Sequence, residues 1–346
     1  MPARDNTIAL ARGHYRLHEQ IGGSVYGTIW RAAAPAGAPD VALKLVNAEQ
    51  MGRAQPGQRE RWIASACNEI AFLEALQPWE GRHIVRLVDS GWHEGLPVLA
   101  LELMGGDLGR HVARRRAQDD APDARQVLDW LAQLNGALAK VHQHGWRYLD
   151  LKPANVLVDA AAGTVKLADF GTNRPLEAAQ AHTYCGTANW QAPEQFFPAP
   201  GGGYVTGRHS DYFALGALFF FLVAGAPLRW CAACGDAYRE QLSDGARVMV
   251  ERGALPPVLT ADEELAFAAA FPLAAREPAL HLLALLLARD PADRPRDALR
   301  ISRMIDDVRG ALRARAVAVR SGAGRVEGWV EGRVEGRVED RLEGRA

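Results

Sequence analysis

The sequence predicts an α+β chain in which a small strand-rich part precedes a larger, mainly helical one. Three observations predict it. Alternating or wholly apolar stretches crowd the first hundred residues (Tyr15-Arg16-Leu17, Val41-Ala42-Leu43-Lys44, Val98-Leu99-Ala100-Leu101) and read as strands. Ile63, Cys67, Ile70, Leu73 and Leu76 recur at steps of three or four, an amphipathic helical stripe. From Ser210 an almost wholly apolar run extends to Leu228. At about 17 residues it is marginal as a membrane span, and it equally suits the buried axis of a large domain. The chain has 346 residues, 48% of them hydrophobic, enough for two lobes around a cleft. A net charge of -1 gives no reason to expect nucleic acid or a polybasic membrane anchor. The start Met1-Pro2-Ala3-Arg4-Asp5 lacks the apolar segment of a secretory signal, and four cysteines suit a reducing cytoplasm.

Taken in order, the elements carry chemistry. Ile21-Gly22-Gly23-Ser24-Val25-Tyr26-Gly27-Thr28-Ile29 reads as a hairpin whose glycines let backbone amides approach phosphate oxygens. Lys44 ends a strand, where a lysine often only snorkels. Glu60, Glu69 and Glu74 lie on or near the stripe that follows. Val98 to Met104 is a buried strand running into the flexible corner Gly105-Gly106-Asp107. Tyr148-Leu149-Asp150-Leu151-Lys152-Pro153-Ala154-Asn155 then packs a carboxylate, an amine and an amide into one loop. Val165-Lys166-Leu167-Ala168 leads into Asp169-Phe170-Gly171. Phosphoryl transfer from ATP needs such a set. One Asp orients and accepts the proton of an attacking hydroxyl, a Lys neutralises phosphate charge, and an Asn and an Asp hold magnesium.

In this order and spacing, from about Tyr15 to about Val308, the chain resembles the eukaryotic-type (Hanks-type) serine/threonine protein kinases. The resemblance implies the bilobal protein kinase fold, with a β-rich N-lobe carrying the helix αC (15–104) and a mainly helical C-lobe (105–310). A lead (1–14) precedes them, and a low-complexity tail (311–346) follows. It implies Asp150 as catalytic base, with Lys152 offsetting charge on the γ-phosphate. Lys44, paired with Glu69, would hold the α- and β-phosphates of ATP. Asn155 and Asp169 would hold Mg2+. Ile21, Gly22, Gly23, Ser24, Gly27, Ile29, Ala42, Leu101 as gatekeeper, Glu102, Met104 and Leu157 would surround the nucleotide. Asp107 either accepts from the ribose or only caps the next helix. Ser24 stands where the family pattern has its second glycine.

Downstream, Thr183-Tyr184-Cys185-Gly186-Thr187 and Ala192-Pro193-Glu194 resemble the end of an activation segment. Asp211 would anchor the catalytic-loop backbone, and Arg294 would pair with Glu194. Lys152 and Thr187 are the choices of kinases that act on Ser and Thr. Leu149 departs from the family, whose usual Arg there receives an activation-segment phosphate, so activity is expected not to depend on phosphorylation of Thr183. Tyr148, in place of the usual His, is expected to stack beneath Phe170. Cys231-Ala232-Ala233-Cys234 has no second pair for a zinc site and reads as two ordinary thiols.

Residues before Tyr15 read as a short disordered lead. After Val308, Ala311-Leu312-Arg313-Ala314-Arg315 is expected to extend a last helix that Ser321-Gly322-Ala323-Gly324 would end, and a tetrapeptide repeat of the type Arg-Val-Glu-Gly follows. As a helix it would stack like charges at i,i+4 and carry a Gly every turn, at roughly 1 kcal/mol each. A disordered tail is the first expectation, a docking or oligomerisation element the second. The resemblance therefore implies a soluble, cytoplasmic enzyme that phosphorylates proteins, itself included, and its Ala- and Arg-rich style resembles bacterial members. Two alternatives stand beside it. One is a pseudokinase-type binding module, towards which Ser24 and Leu149 point. The other is a small-molecule phosphotransferase, disfavoured by Lys152, the 187–194 segment and Arg294.

Overall fold

A computed structural model of the chain describes residues 6–23, 27–35, 37–53, 57–177, 181–253 and 255–323. The first part is a six-stranded antiparallel sheet. Its strands are β1 (Thr7–Leu10), β2 (Gly13–Gly23), β3 (Gly27–Ala33), β4 (Val41–Val46), β5 (Leu87–His93) and β6 (Leu96–Glu102), in the order β1-β2-β3-β4-β6-β5. Period-2 alternation splits its residues between two faces. Val41, Leu43, Val98 and Ala100 close one core with Ile8, Tyr15 and Ala32. Ala42 and Lys44, opposite Leu101 and Leu99, take the other face. The β5–β6 hairpin turns on Glu94 and Gly95, both at positive φ, as a two-residue loop that matches strand twist requires. Between β4 and β5 lie α1 (Ala48–Arg53) and α2 (Gln58–Ala75). Phe72 and Leu73 of α2 are buried in the main core.

The second part is mainly helical: α3 (Leu108–Ala117), α4 (Ala124–Gln143), α5 (Pro193–Phe196), α6 (Arg208–Ala224), α7 (Arg229–Gln241), α8 (Gly245–Glu251), α9 (Ala261–Ala269), α10 (Leu273–Leu286) and α11 (Ala298–Ala323). Two small antiparallel pairs interrupt it, β7 (Trp146–Arg147) with β10 (Arg174–Pro175) and β8 (Val156–Asp159) with β9 (Thr164–Leu167). The α4–β7 connection and the β8–β9 hairpin flank the loop 148–155. The two parts are tied together beneath α2. Val85 N donates to Leu167 O (2.9 Å), and His83 Nδ1 lies 3.1 Å from Val165 O.

Three expectations are corrected. The lead is not wholly structureless: Thr7–Leu10 pairs with β2, because Ile8 can bury against Tyr15. Ala11 N donates to Ser90 O, and Arg12 N donates to the Asp89 carboxylate (2.8 Å), so β1 also reaches β5. The apolar run does not continue as one helix to Leu228. Gly225 at φ 79 ends α6, and the chain bends by 111° into the next helical stretch. No single helix among the described residues is long and apolar enough to cross a membrane, and α6 is buried around nearly its whole circumference. Finally, the domain boundary at 310 falls inside a helix: α11 continues to Ala323, within the stretch expected to end it. Ser24 and the repeat beyond residue 323 lie outside the described residues.

Candidate active site

Lys44 on β4 reaches across the cleft face of the sheet. Its Nζ donates to Glu69 Oε2 on α2 (2.6 Å) and to Asp169 Oδ1 (2.7 Å). Of the three glutamates near the stripe, Glu69 is therefore the one that meets Lys44. Desolvation raises both carboxyls. Glu69, 1% exposed, stays above the usual range despite Lys44. At Asp169, whose side chain is 47% exposed, the Lys44 charge outweighs desolvation and holds the group below it. Lys44 is also desolvated, but the two carboxylates win and raise its pKa. One turn before Glu69, on the same helix face, Ser65 Oγ donates to Gly171 O (2.7 Å). Sequence reasoning missed Ser65, although its i−4 spacing from Glu69 was a usable signal.

Around Asp150 the contacts converge. Its Oδ1 accepts from Thr187 Oγ1 (2.6 Å), and its Oδ2 accepts from Lys152 Nζ (2.8 Å) and Asn155 Nδ2 (2.9 Å). A carboxylate offers about four lone-pair sites, so one remains for an incoming hydroxyl. Burial raises the Asp150 carboxyl above its ordinary value, and Lys152 only partly offsets this. The loop is held in an unusual shape: Leu149 has φ 66 and Asp169 has φ 62, a strained region for non-glycine residues that recurs at functional sites. Asp211 on α6 secures it. Its two oxygens accept from Tyr148 N (2.9 Å) and Leu149 N (2.7 Å), and His142 Nε2 lies 2.8 Å away. Tyr148 packs edge-on to Phe170 (5.3 Å), and Phe72, which the sequence reading left without a role, packs on the other side (4.6 Å).

The segment 181–196 lies over this loop. Gly186, at φ 94, passes so close that an added Cβ would stand 2.5 Å from Leu149 O. Gln195 Nε2 donates to Leu149 O (3.0 Å), Gln191 Nε2 donates to Cys185 O (2.6 Å), and Tyr184 stacks on Tyr238 (4.9 Å). His182 exchanges backbone bonds with Tyr204 and reaches Thr206 Oγ1 (2.8 Å). The Arg294 guanidinium donates to both Glu194 oxygens (2.6 and 2.9 Å), and Ser210 Oγ donates to one of them.

Ala42 and Leu101 face each other in register at the back of the cleft. Gly22 and Gly23 end β2, and Gly27 opens β3. A Cβ on Gly27 would lie 2.9 Å from Leu45 O, so that glycine is required by strand packing as well. Gly22 lies opposite Ile29. The Glu102 side chain, where β6 leaves the sheet, accepts from Lys166 Nζ (2.6 Å) on β9 and from Arg86 N (2.8 Å). Lys166 is a second residue that sequence reasoning missed. After Met104, Gly105 N donates to Val158 O (3.1 Å), bringing β8 and Leu157 beneath the corner. Asp107 caps α3, its Oδ1 accepting from Arg110 N (2.9 Å). Asn155 donates its amide nitrogen to Asp150 O (3.0 Å) and Oδ2 (2.9 Å), so its carbonyl oxygen and the Asp169 carboxylate are the groups that could hold a cation. Two oxygen donors plus phosphate oxygens suit Mg2+. Among the described residues no group of three His, Cys, Asp or Glu could itself hold a metal. Cys231 and Cys234 are buried on α7, and desolvation raises both thiols, Cys234 to about 12.

A two-part fold with an ion-paired lysine on the sheet and a carboxylate loop beneath it defines a phosphotransferase-type cleft. A family model described as protein kinase domain matches residues 15–303, and the chain belongs to the protein kinase family, in its Hanks-type branch. Among curated proteins of Oryza sativa subsp. japonica, it is 32% identical to CBL-interacting protein kinase 4 over 222 residues, 62% of this chain and 45% of that protein. It is 30% identical to CBL-interacting protein kinase 19 over 223 residues (62% and 40%). It is 30% identical to CBL-interacting protein kinase 5 over 228 residues (64% and 45%). The matched stretch spans less than half the length of these relatives.

Proposed function

We propose that this chain transfers the γ-phosphoryl group of ATP to serine and threonine hydroxyls of proteins, itself included. The observation that carries the reading is the pair of clusters facing one another across the cleft, Lys44 with Glu69 and Asp169, and Asp150 with Lys152, Asn155 and Thr187. Lys44 holds the α- and β-phosphates, kept charged and aimed by Glu69. Ile21, Gly22, Gly23, Gly27, Ile29, Ala42, Leu101 and Leu157 enclose the nucleotide, backbone groups of Glu102 and Met104 read adenine, and Asp107 reaches the ribose. Asn155 and Asp169 would hold magnesium, which would supply charge neutralisation for the phosphates. Asp150 orients the acceptor hydroxyl and takes its proton on the remaining lone pair. Lys152 offsets charge on the transferring group, and Thr187 keeps Lys152 and Asp150 in register. Positioning and preorganised charge supply most of the rate. The reading places the protein in the cytoplasm, with protein substrates rather than nucleic acid; for the tail it keeps disorder as the first expectation and a docking or oligomerisation element as the second.

The test is transfer from radiolabelled magnesium-ATP to the chain itself and to a generic basic protein, with Asp150→Asn as control. Phosphoserine or phosphothreonine that disappears in the variant supports the proposal. ATP binding without transfer would replace it with the binding-module reading, for which Leu149 is the specific observation. Preferential phosphorylation of a sugar would replace it with the small-molecule reading.

A further inference from the structure

Away from the cleft, α4 and α11 pack antiparallel, and their facing side chains form a ladder. Asn135 Nδ2 donates to Ala298 O (2.8 Å) and Ser302 Oγ (2.9 Å). Towards the start of α4, Asp129 pairs with Arg309 (2.5 Å), and Asp306 also contacts Arg309 (3.2 Å). One turn further, the ladder presents Arg125 from α4 and Arg313 from α11. Among the described residues neither has a hydrogen bond or ion-pair partner. The carboxylates nearby are engaged: Asp129 and Asp306 by Arg309, and Asp123 as the cap of α4, where it accepts from Gln126 N (2.8 Å). Arg125, Asp129, Arg309, Leu312 and Arg313 line one recess of about 240 Å³.

Two complementary rungs followed by a rung of two cations is an arrangement the chain does not itself complete. Arg309 and Arg313 stand at i,i+4, where like charges repel. The recess is smaller than the ~300–1,000 Å³ of ligand-sized clefts, so it suits a single oxyanion better than a whole nucleotide. Guanidinium groups recognise phosphate through paired N–H donors, a geometry lysine does not offer. We propose that Arg125 and Arg313, with Arg309 behind them, form a binding site for a phosphate-type oxyanion, distinct from the nucleotide cleft. The proposal does not depend on the function proposed above.

The experiment follows the melting temperature of the full chain as inorganic phosphate replaces chloride at constant ionic strength. The native chain, Arg125→Gln/Arg313→Gln and Lys44→Met are compared, the last removing the phosphate-binding lysine of the cleft. The expected result is a phosphate-dependent rise that persists in Lys44→Met and is lost in the double variant, with affinity falling about tenfold per arginine removed. Without phosphate the double variant should melt no lower than the native chain, because a repulsive rung has been removed. An equal rise in the double variant overturns the proposal. So does a double variant already less stable without phosphate by as much as with it. A phosphoserine peptide and its unphosphorylated form supply a second arm. If only the phosphorylated form competes, and more strongly than inorganic phosphate, the oxyanion is one displayed on a protein segment. Competition no stronger than inorganic phosphate identifies a free oxyanion. Equal competition by the two peptides overturns phosphate recognition.

Discussion

Asp150 accepts three hydrogen bonds and still sits above the ordinary carboxylate range, because burial outweighs the charge of Lys152. This has a kinetic consequence and a thermodynamic one. The acid limb of kcat/KM, which reports groups of the free enzyme, should fall at a pH above the ~3.9 of an unperturbed Asp. A limb at or below that value would remove Asp150 as the titrating base. For stability, a carboxyl raised in the folded state binds its proton more tightly there than in the unfolded chain. Ionising it subtracts stability as pH climbs from the unperturbed value to the raised one. Asp150→Asn should therefore match or exceed the native melting temperature above that window, and the two curves should converge below it, while transfer is abolished. The side chains that meet in the cleft were legible in the sequence because the chemistry proposed for them demands particular residue types at short spacings. Ser65 and Lys166 were not. Their partners, Gly171 O and Glu102, lie far along the chain, so the one-turn step from Ser65 to Glu69 could mark the helix face but not what the serine meets, and a half-exposed lysine carries no signal of its own.

At the scale of the element, the Arg294–Glu194 pair and Thr187 fix one end of the segment over the 148–155 loop, and the rest of it is secured by uncharged groups. His182, Tyr184 and Gln195 hold it to Tyr204, Thr206, Tyr238 and the Leu149 carbonyl, Gln191 braces it internally through Cys185 O, and Leu149 offers no guanidinium for a phosphate. Thr183→Ala should consequently keep turnover close to the native value in a transfer assay, and a collapse of activity with the fold intact would contradict this. Gly186→Ala makes the opposite case. A Cβ 2.5 Å from Leu149 O, at φ 94, must push the segment away from Asp150. A displacement of this order costs about 10²-fold in rate, with a far smaller effect on the melting temperature. The motif residues in this segment could be read in advance. Its glutamine and histidine anchors could not, because each bond joins residues whose proximity only the tertiary fold creates. The end of α6 was misjudged for a related reason: hydropathy continues past Gly225, whereas backbone conformation does not.

Across the whole molecule, the Arg294–Glu194 pair joins the far end of the C-terminal part to the substrate-facing segment, with the Arg294 side chain fully buried. Removing one partner of such a pair leaves an uncompensated charge, so Arg294→Ala should lose about 3–5 kcal/mol in chemical denaturation. A loss under ~1 kcal/mol would mean the pair is effectively solvated. The order of the two lobes followed from strand and helix periodicity and from the family resemblance. The contribution of the first fourteen residues did not, because a four-residue strand is too short to announce itself by alternation. That strand bears on how the protein can be handled. The family match begins at Tyr15, and a chain trimmed to start there would appear to contain every motif. It would lack Ile8 from the sheet core, and the edge strand that pairs with β2 would be gone. A four-residue edge would be replaced by the eleven-residue edge of β2, and long unpaired edges are templates for association, so the trimmed protein should aggregate at concentrations where the full chain remains monodisperse by light scattering. The least conspicuous strand is thus the one that keeps the small lobe from adhering to other copies.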